Sequence, residues 1–453
     1  MHNERSSKHV RLRFEGISMT PVHSAVPMHL RVAMLFAGAW RAAFAIGCLI
    51  LYSLFVEAGS PCLAQDPKIT FHGDIGTGQA SGASTGSMAL SRYELNFGVA
   101  RDLGRPCKAK AAYRVRVDRY LSPSTEYDFD LREAWLTCRA GDWLFSAGRQ
   151  TVAWGKADGF PVLDAVQPLD YREFFLDEHQ SARRPLAMIR AEKQIDGHDF
   201  LQAIYIPEKR ADILPRLGDR FAEPWIAELT LAAEAASIGA ANSSSFSKPQ
   251  GGLKWEHNGT RLGWTANALN SWASQPYYSL NAGSGLLESS YYRRLLAGSS
   301  LDLQWSKWVV RGEATYLPVI YLPTPSTAVE YLKYAQMSFV VGADRSVHEW
   351  LLSGQFFRTY SSRQAVDPVN GRAQNFLTVL ATRSFRQDRL KARAFAADDV
   401  THHGAWVEAS LSYDLPRNYQ IKLGGDWFRG GAVSTFGELE NENRIKLDLK
   451  WSF

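Results

Sequence analysis

The segment Thr151–Arg184 is crowded with side chains that could act on a charged or polar solute. Lys156, Asp158, Asp164, Asp170, Arg172, Glu173, Asp177, Glu178, Arg183 and Arg184 are charged, and Trp154, Phe160, Phe174 and Phe175 stand among them. A loop lying wholly in water has little use for so many large rings. Four guanidinium groups, Arg114, Arg116, Arg132 and Arg149, precede it at positions that could face it. Carboxylates on one side of a narrow aqueous passage and guanidinium groups on the other create a transverse field that sorts polar solutes. The alternative reading is that these charges pair among themselves and only brace a loop packed outside as a lid.

Covalent chemistry has little to build on. His179 follows Asp177 and Glu178, and His402 adjoins His403, but no His-x-Ser motif with a following Asn-Gly is present. The Ser243-Ser244-Ser245 run reads as flexible loop, and the paired histidines read as solvated. No P-loop, dinucleotide fingerprint or zinc motif occurs. The expectation is a chain that is not an enzyme and that carries no cofactor and no metal.

The elements that would hold such a loop repeat with period two. Ile445, Leu447, Leu449, Trp451 and Phe453 alternate with Arg444, Lys446, Asp448 and Lys450. Tyr93-Leu95-Phe97-Val99 alternate with Arg92-Glu94-Asn96, and Tyr113-Val115-Val117 with Arg114-Arg116-Asp118. By that parity Arg114 and Arg116 belong to the polar face. The runs are about ten residues long, the span of a tilted transmembrane strand.

Connections alternate strictly between tight and long. Tight ones fall at Asp102–Pro106, Arg139–Asp142, Asp196–Asp199, His257–Thr260, Ser306-Lys307, Asp344–Val347, Arg386–Arg389 and Pro416–Asn418. Long or medium ones fall between them, including Thr151–Arg184, Pro207–Gln250, Ser271–Ser290, Leu317–Ala335 and Ser361–Ala373. This is the layout of an outer-membrane barrel, with short periplasmic turns and longer outer loops. The fold class expected is all-β, an antiparallel transmembrane barrel of about eighteen strands. Sixteen is the alternative if Leu186–Ile206 is misread. Trp225–Asn242 reads as a short amphipathic loop helix. Closure satisfies every backbone group where lipid supplies no partner, and a wide lumen hydrates the charged face. Burying those charges in a sandwich would be prohibitive.

The N-terminal part differs. Ala43–Val56 is an apolar run after Arg41, and Cys62-Leu63-Ala64 reads as a cleavage site before Gln65. Residues 1–64 are thus read as a signal peptide with a long n-region (Met19 or Met28 could be its true start), and 65–453 as the barrel. The net charge of +5 includes six basic and three acidic groups in residues 1–64, leaving 5 − 3 = +2 for the body. A nearly neutral body does not read as a nucleic-acid binder. Two of the four cysteines lie in the leader. Cys107 and Cys138 remain, and folding their hairpin about Ser122-Pro123 brings them nearly opposite, so a disulfide is expected.

Two resemblances add to this reading. The terminal Trp451 and Phe453, with Leu447 and Leu449 before them, resemble the C-terminal signature by which the barrel-assembly machinery recognises Gram-negative outer-membrane proteins. Gly148-Arg149-Gln150-Thr151-Val152-Ala153-Trp154-Gly155, followed by Gln167-Pro168-Leu169-Asp170, resembles the GRQ-x-V-x-WG … NP-x-D pattern of uncharacterised proteobacterial outer-membrane barrels. Gln167 stands where that pattern has Asn. Those barrels are similar in outline to alginate-export-type barrels and often accompany inner-membrane RND-type transporters. In general porins the third outer loop folds inward. By analogy with them, 151–184 is expected to be a constriction, built on Arg114, Arg116, Arg132, Arg149, Lys156, Asp158, Asp164, Asp170, Arg172, Glu173, Asp177 and Glu178.

The expected function is a porin-like channel for polar solutes in the outer membrane of a Gram-negative bacterium. Its expected partners are outer-membrane lipid, the barrel-assembly machinery and an inner-membrane transporter. The rival readings are an export or lipid-trafficking component and a barrel plugged by its own loops.

Overall fold

A computed structural model describes residues 69–453, apart from 105, 158, 175, 177–178, 217, 223–247, 281–286, 326 and 432–433. The leader read at 1–64 and the loop helix read at Trp225–Asn242 lie outside the described residues.

Eighteen strands close into one antiparallel barrel. The first nine are β1 (Ile69–Gly82), β2 (Met88–Asp102), β3 (Cys107–Arg119), β4 (Glu126–Ala140), β5 (Trp143–Gln150), β6 (Leu186–Gln194), β7 (Asp199–Ile206), β8 (Gln250–Asn258) and β9 (Leu262–Trp272). A small hairpin, β10 (Tyr277–Leu280) and β11 (Leu287–Ser290), stands apart in the next loop. The wall resumes with β12 (Arg293–Trp305), β13 (Trp308–Thr324), β14 (Thr327–Val347), β15 (Trp350–Ser361) and β16 (Ala373–Phe385). It ends with β17 (Leu390–Asp399), β18 (Gly404–Leu415), β19 (Tyr419–Gly430) and β20 (Arg444–Ser452). Each strand pairs with the next. β20 pairs with β1 from Asp74↔Ser452 to Gly82↔Arg444, which closes the ring. The weak strands at Leu186–Ile206 are both present, so the count is eighteen and not sixteen.

Alternation explains the wall. Outward positions are apolar and exposed, as at Phe129 (72%), Trp305 (69%) and Leu423 (54%). Their neighbours in sequence, such as Asp128, Gln304 and Lys422, point to the other face. Register partners share a face, so one outward residue fixes the parity of its whole row.

The short turns gather at one end of the barrel. His348 and Glu349 both have positive φ between β14 and β15, the backbone of a two-residue hairpin turn whose twist matches the strands. This turn lies just beyond the expected Asp344–Val347, because β14 stays paired through Val347↔Trp350. Leu317–Ala335 also differs from expectation. It is not an open loop but the protruding tip of β13 and β14, paired as far as Thr324↔Thr327. The ladder slips between Leu317 and Ile320, where Pro318 has no N–H to donate.

Cys107 opens β3 and pairs in register with Cys138 of β4, at the short-turn end. Their Cα atoms are 4.1 Å apart and a disulfide joins them. At the closing seam Trp451 pairs with Ile75, and its ring stacks on Tyr419 at 6.1 Å. Phe453 donates its N–H to the Gly73 carbonyl at 2.9 Å, and its ring fills the space a Cβ at Gly73 would need.

Candidate functional site

The connection from β5 to β6, residues 151–185, bonds both to itself and to several strands of the wall. Its exit from β5 depends on two glycines. Gly148 has φ +123°, and a Cβ there would meet the Ala134 carbonyl oxygen at 2.1 Å. A Cβ on Gly155 would meet the Asp164 backbone nitrogen at 2.8 Å. Between them Val152 and Trp154 turn into an apolar cluster with Leu163, Leu186, Met188, Ile204, Leu269 and Leu296. Trp154 is 1% exposed, and its indole N–H donates to Gln202 Oε1 at 2.8 Å. Burying such a ring contributes on the order of 3 kcal/mol, and its one polar atom is satisfied.

Gln167 holds the crossing of the loop over itself. Its Oε1 accepts the Val152 N–H at 3.0 Å, and its Nε2 donates to the Gln150 carbonyl at 3.3 Å. Asp164 accepts from Arg183 at 2.6 and 2.7 Å and from the Trp154 N–H at 3.3 Å. Apart from the bond to Gln150 at the end of β5, these bonds are internal to the loop.

Other bonds reach the wall. Glu313 of β13 accepts backbone N–H bonds from Lys156, Ala157 (2.9 Å) and Leu163 (3.1 Å). The Lys156 ammonium pairs with Asp302 of β12 at 2.8 Å. Glu173 pairs with Arg92 of β2 and, at 3.3 Å, with Arg444 of β20. Arg172 pairs with Asp170 and with Asp128 of β4, the latter at 3.3 Å. Phe160 lies against Phe357 of β15 (5.5 Å) and Phe376 of β16 (5.1 Å). In strand order β2 and β13 are separated by nine steps of an eighteen-membered ring, which places them on opposite sides. One loop therefore bonds to opposed walls.

Charge in this web is matched rather than free. Burial raises the cost of an ionised Glu173, but Arg92, Arg444 and Arg116 outweigh it and hold the carboxyl well below the usual range. Burial acts against an ionised Asp170 too, and the hydrogen bonds and charge of Arg172 hold it low.

Arg114, Arg116 and Arg132 all meet the loop, but in another way than their charge suggests. Arg114 donates to the Ser181 carbonyl (3.1 Å) and Oγ (3.0 Å), and Arg116 donates to the same Oγ at 2.9 Å. Arg132 donates to the Arg183 carbonyl at 2.7 Å. Carboxylates of the wall pair with them: Asp128 with Arg114 (3.4 Å) and Glu94 with Arg116 (2.7 Å) from neighbouring strands, and Asp130 with Arg132 (3.0 Å) from the same strand. Pairing within the wall satisfies their charge locally, so the loop docks on other N–H groups through neutral acceptors.

Arg149 departs from expectation. It shares a face with its register partners Ala134 and Ala187, and so with the outward residues Phe145 and Ile189. It pairs instead with Glu208 at 3.0 Å and donates to the Pro185 carbonyl at 2.9 Å. Odd positions of β5 face outward, and Arg149 continues that parity to the end of the strand. Asp158, Asp177 and Glu178 lie outside the described residues. Glu313, Ser181 and Arg444 were not foreseen. Glu313 and Arg444 sit on the polar face among many similar charges, and nothing local in sequence marks which ones receive a loop from across the barrel.

A family model described as a protein of unknown function (DUF1302) matches residues 108–367, more than half of the chain. No curated protein matches the sequence. Among solved structures, OccAB1 of Acinetobacter baumannii aligns with a TM-score of 0.52 at 8% identity, over 87% of this chain and 98% of that one. OccK5 (OpdH) of Pseudomonas aeruginosa aligns with a TM-score of 0.48 at 10% identity, over 86% and 98%. An anion-selective porin from Comamonas acidovorans aligns with a TM-score of 0.42 at 12% identity, over 86% and 100%. The chain thus has a porin-like β-barrel fold.

Proposed function

Because this chain belongs to the DUF1302 family of proteins of unknown function, we propose its role from its own architecture. It is an outer-membrane channel for polar solutes, narrowed by the loop 151–184 folded into the lumen. The belt of exposed apolar residues on the outward face calls for lipid around it, since no soluble protein leaves so much apolar surface wet. The charged inner face calls for water.

The observation that carries the constriction is the pair of anchors on opposite walls, Glu313 on one side and Arg92 with Arg444 on the other. Depth supports it as well. Asp302, which receives Lys156, stands three residues from the end of β12 at a short turn. That is roughly 10 Å along the strand from the short-turn rim, far below the long-loop mouth. A loop lying over the mouth as a lid would not reach it.

A second reading is favoured by one observation. The loop packs apolar residues on both sides, Trp154 and Leu163 in one cluster and Phe160 and Phe174 against another around Phe395, Trp406, Phe428 and Phe436. Two greasy anchors suit a plug that a partner releases, such as an inner-membrane export system.

Single-channel conductance of the refolded barrel in a planar bilayer tests both, beside a deletion of 151–184 whose folding has been checked. Steady conductance that grows on deletion supports the constricted channel. Silence from the intact protein, with conductance only after deletion, favours the plug. Silence from both, with the barrel folded, sinks the channel reading.

A further inference from the structure

At the long-loop end the lumen wall changes character. A cavity of about 460 Å³ opens among the ends of β12, β13, β14, β15 and β16, the segment between β9 and β10, and the loop residues Tyr171 and Asp212. Its volume is in the range of small-molecule sites. Five tyrosines line it: Tyr171, Tyr278, Tyr292, Tyr321 and Tyr331. Four of these rings, those of Tyr278, Tyr292, Tyr321 and Tyr331, pack against one another or against Tyr277. Tyr277 stacks on Tyr321 at 4.3 Å, Tyr292 meets Tyr321 at 4.8 Å, and Tyr278 meets Tyr331 at 6.1 Å.

Nearer the short turns the inner face carries full charges, as at Asp302, Arg311 and Asp344. Here only Asp212, Arg294 and Arg372 are charged, and each is already engaged. Asp212 accepts from the Leu169 N–H (2.8 Å) and the Ser274 hydroxyl (3.0 Å). Arg294 donates to Ser271 Oγ and the Ala165 carbonyl, both at 3.0 Å, and Arg372 pairs with Asp367 at 3.1 Å. The rest of the polar lining is neutral, with Gln275, Gln336, Gln374 and Asn370 offering amides that both donate and accept.

Flat rings beside neutral two-way hydrogen-bonding groups, with no uncommitted charge, select a particular ligand chemistry. A ligand needs an apolar C–H face to lie on tyrosine and hydroxyls around its edge to meet amides. We propose that this cavity is a capture site for a neutral polyhydroxylated ring, a carbohydrate unit, at the outer mouth of the barrel. The proposal deepens the channel reading and rests on it for direction of entry only. An aromatic carboxylate would fit the rings but leave its charge without a free cation.

The test is equilibrium binding to the full chain in detergent micelles, followed by saturation-transfer NMR, with maltotriose, cellobiose and benzoate as probes. Saturable binding of either sugar in the millimolar range is expected, with none for benzoate. Tyr331→Ala and Gln336→Ala should each weaken sugar binding at least ten-fold, in protein whose heat-modifiable electrophoretic mobility shows a folded barrel. Tyr331→Phe should bind as well as the native protein. No saturable sugar binding overturns the proposal, as does benzoate binding tighter than sugar. Sugar binding indifferent to both alanine variants also overturns it, because the sugar then sits elsewhere. Conductance is read separately. A silent barrel that still binds maltotriose at this site removes the channel reading and leaves the capture site standing, whereas a conducting barrel that binds no sugar does the reverse.

Discussion

Glu173 and Arg444 are 271 residues apart in sequence and 3.3 Å apart in space, and both are buried. Arg444 opens the last strand, and its Nε also donates to Asp426 of β19 at 2.8 Å. Glu173 in turn meets Arg92 of β2. A carboxylate of the β5–β6 connection is therefore clamped between β20 and β2, the strands on either side of β1.

Glu173→Gln should release this side of the loop. Removing one partner of a buried pair costs about 3–5 kcal/mol, and Arg444 keeps Asp426, so the lower figure is expected. The barrel should still fold, since the strand pairings are untouched. Conductance should rise and the loop should become cleavable by added protease. Native conductance and native protease resistance in the variant would remove Glu173 as an anchor.

The opposite anchor predicts a matching effect. Glu313→Ala leaves the N–H groups of Lys156, Ala157 and Leu163 without their acceptor. Each unsatisfied buried donor costs about 1–3 kcal/mol, so this substitution should undock the loop more completely than Glu173→Gln. Hydrogen exchange at those three amides is the direct measurement. Amides that stay protected would show that the carboxylate is not what holds them.

The pH dependence follows from Asp170 and Glu173, whose carboxyls lie below the usual range because arginine charge outweighs burial. A carboxyl with a lowered folded value contributes stability in full above its unfolded value of about 4. That contribution fades as pH falls from there through the folded value. The contacts made by these two carboxylates should hold from pH 8 to about 5 and loosen only in stronger acid. Conductance against pH should be flat across the first window and climb below it. A climb centred near neutrality would mean that other groups hold the loop.

Much of this was legible because the signal was periodic. Parity alone placed Arg114 and Arg116 inward, and the phase of tight and long connections pointed to about eighteen strands, with sixteen left open, without any long-range information. Parity failed to be applied at Arg149, where the outward row of Phe145 and Ala147 runs one residue further than the apolar pattern suggests. Pairings across the barrel were not legible at all. Glu313 and Asp344 are both lumen-side carboxylates on adjacent strands, yet only Glu313 takes up three amides of a loop that starts more than 140 residues earlier. Such choices depend on how a closed ring folds its loop back on itself. The tip of β13 and β14 was missed because Leu317–Ala335 reads as a connection, whereas the ladder continues past Pro318 as an irregularity.

Gly148 offers a test of the loop's exit that is independent of charge. Gly148→Ala forces a side chain into φ +123° and within 2.1 Å of the Ala134 carbonyl. Both the conformation and the clash act against it, so the β4–β5 pairing must shift or the loop must leave on another path. Strain at such a site costs about 1–3 kcal/mol before the clash is counted. Gly141, also at positive φ but in a short turn with open space around it, is the control. Gly141→Ala should lower the urea midpoint slightly and leave conductance unchanged, whereas Gly148→Ala should change conductance in a barrel that still assembles. Equal effects from both would mean that the position matters only as backbone strain and not as the hinge that aims Trp154 and the rest of the loop.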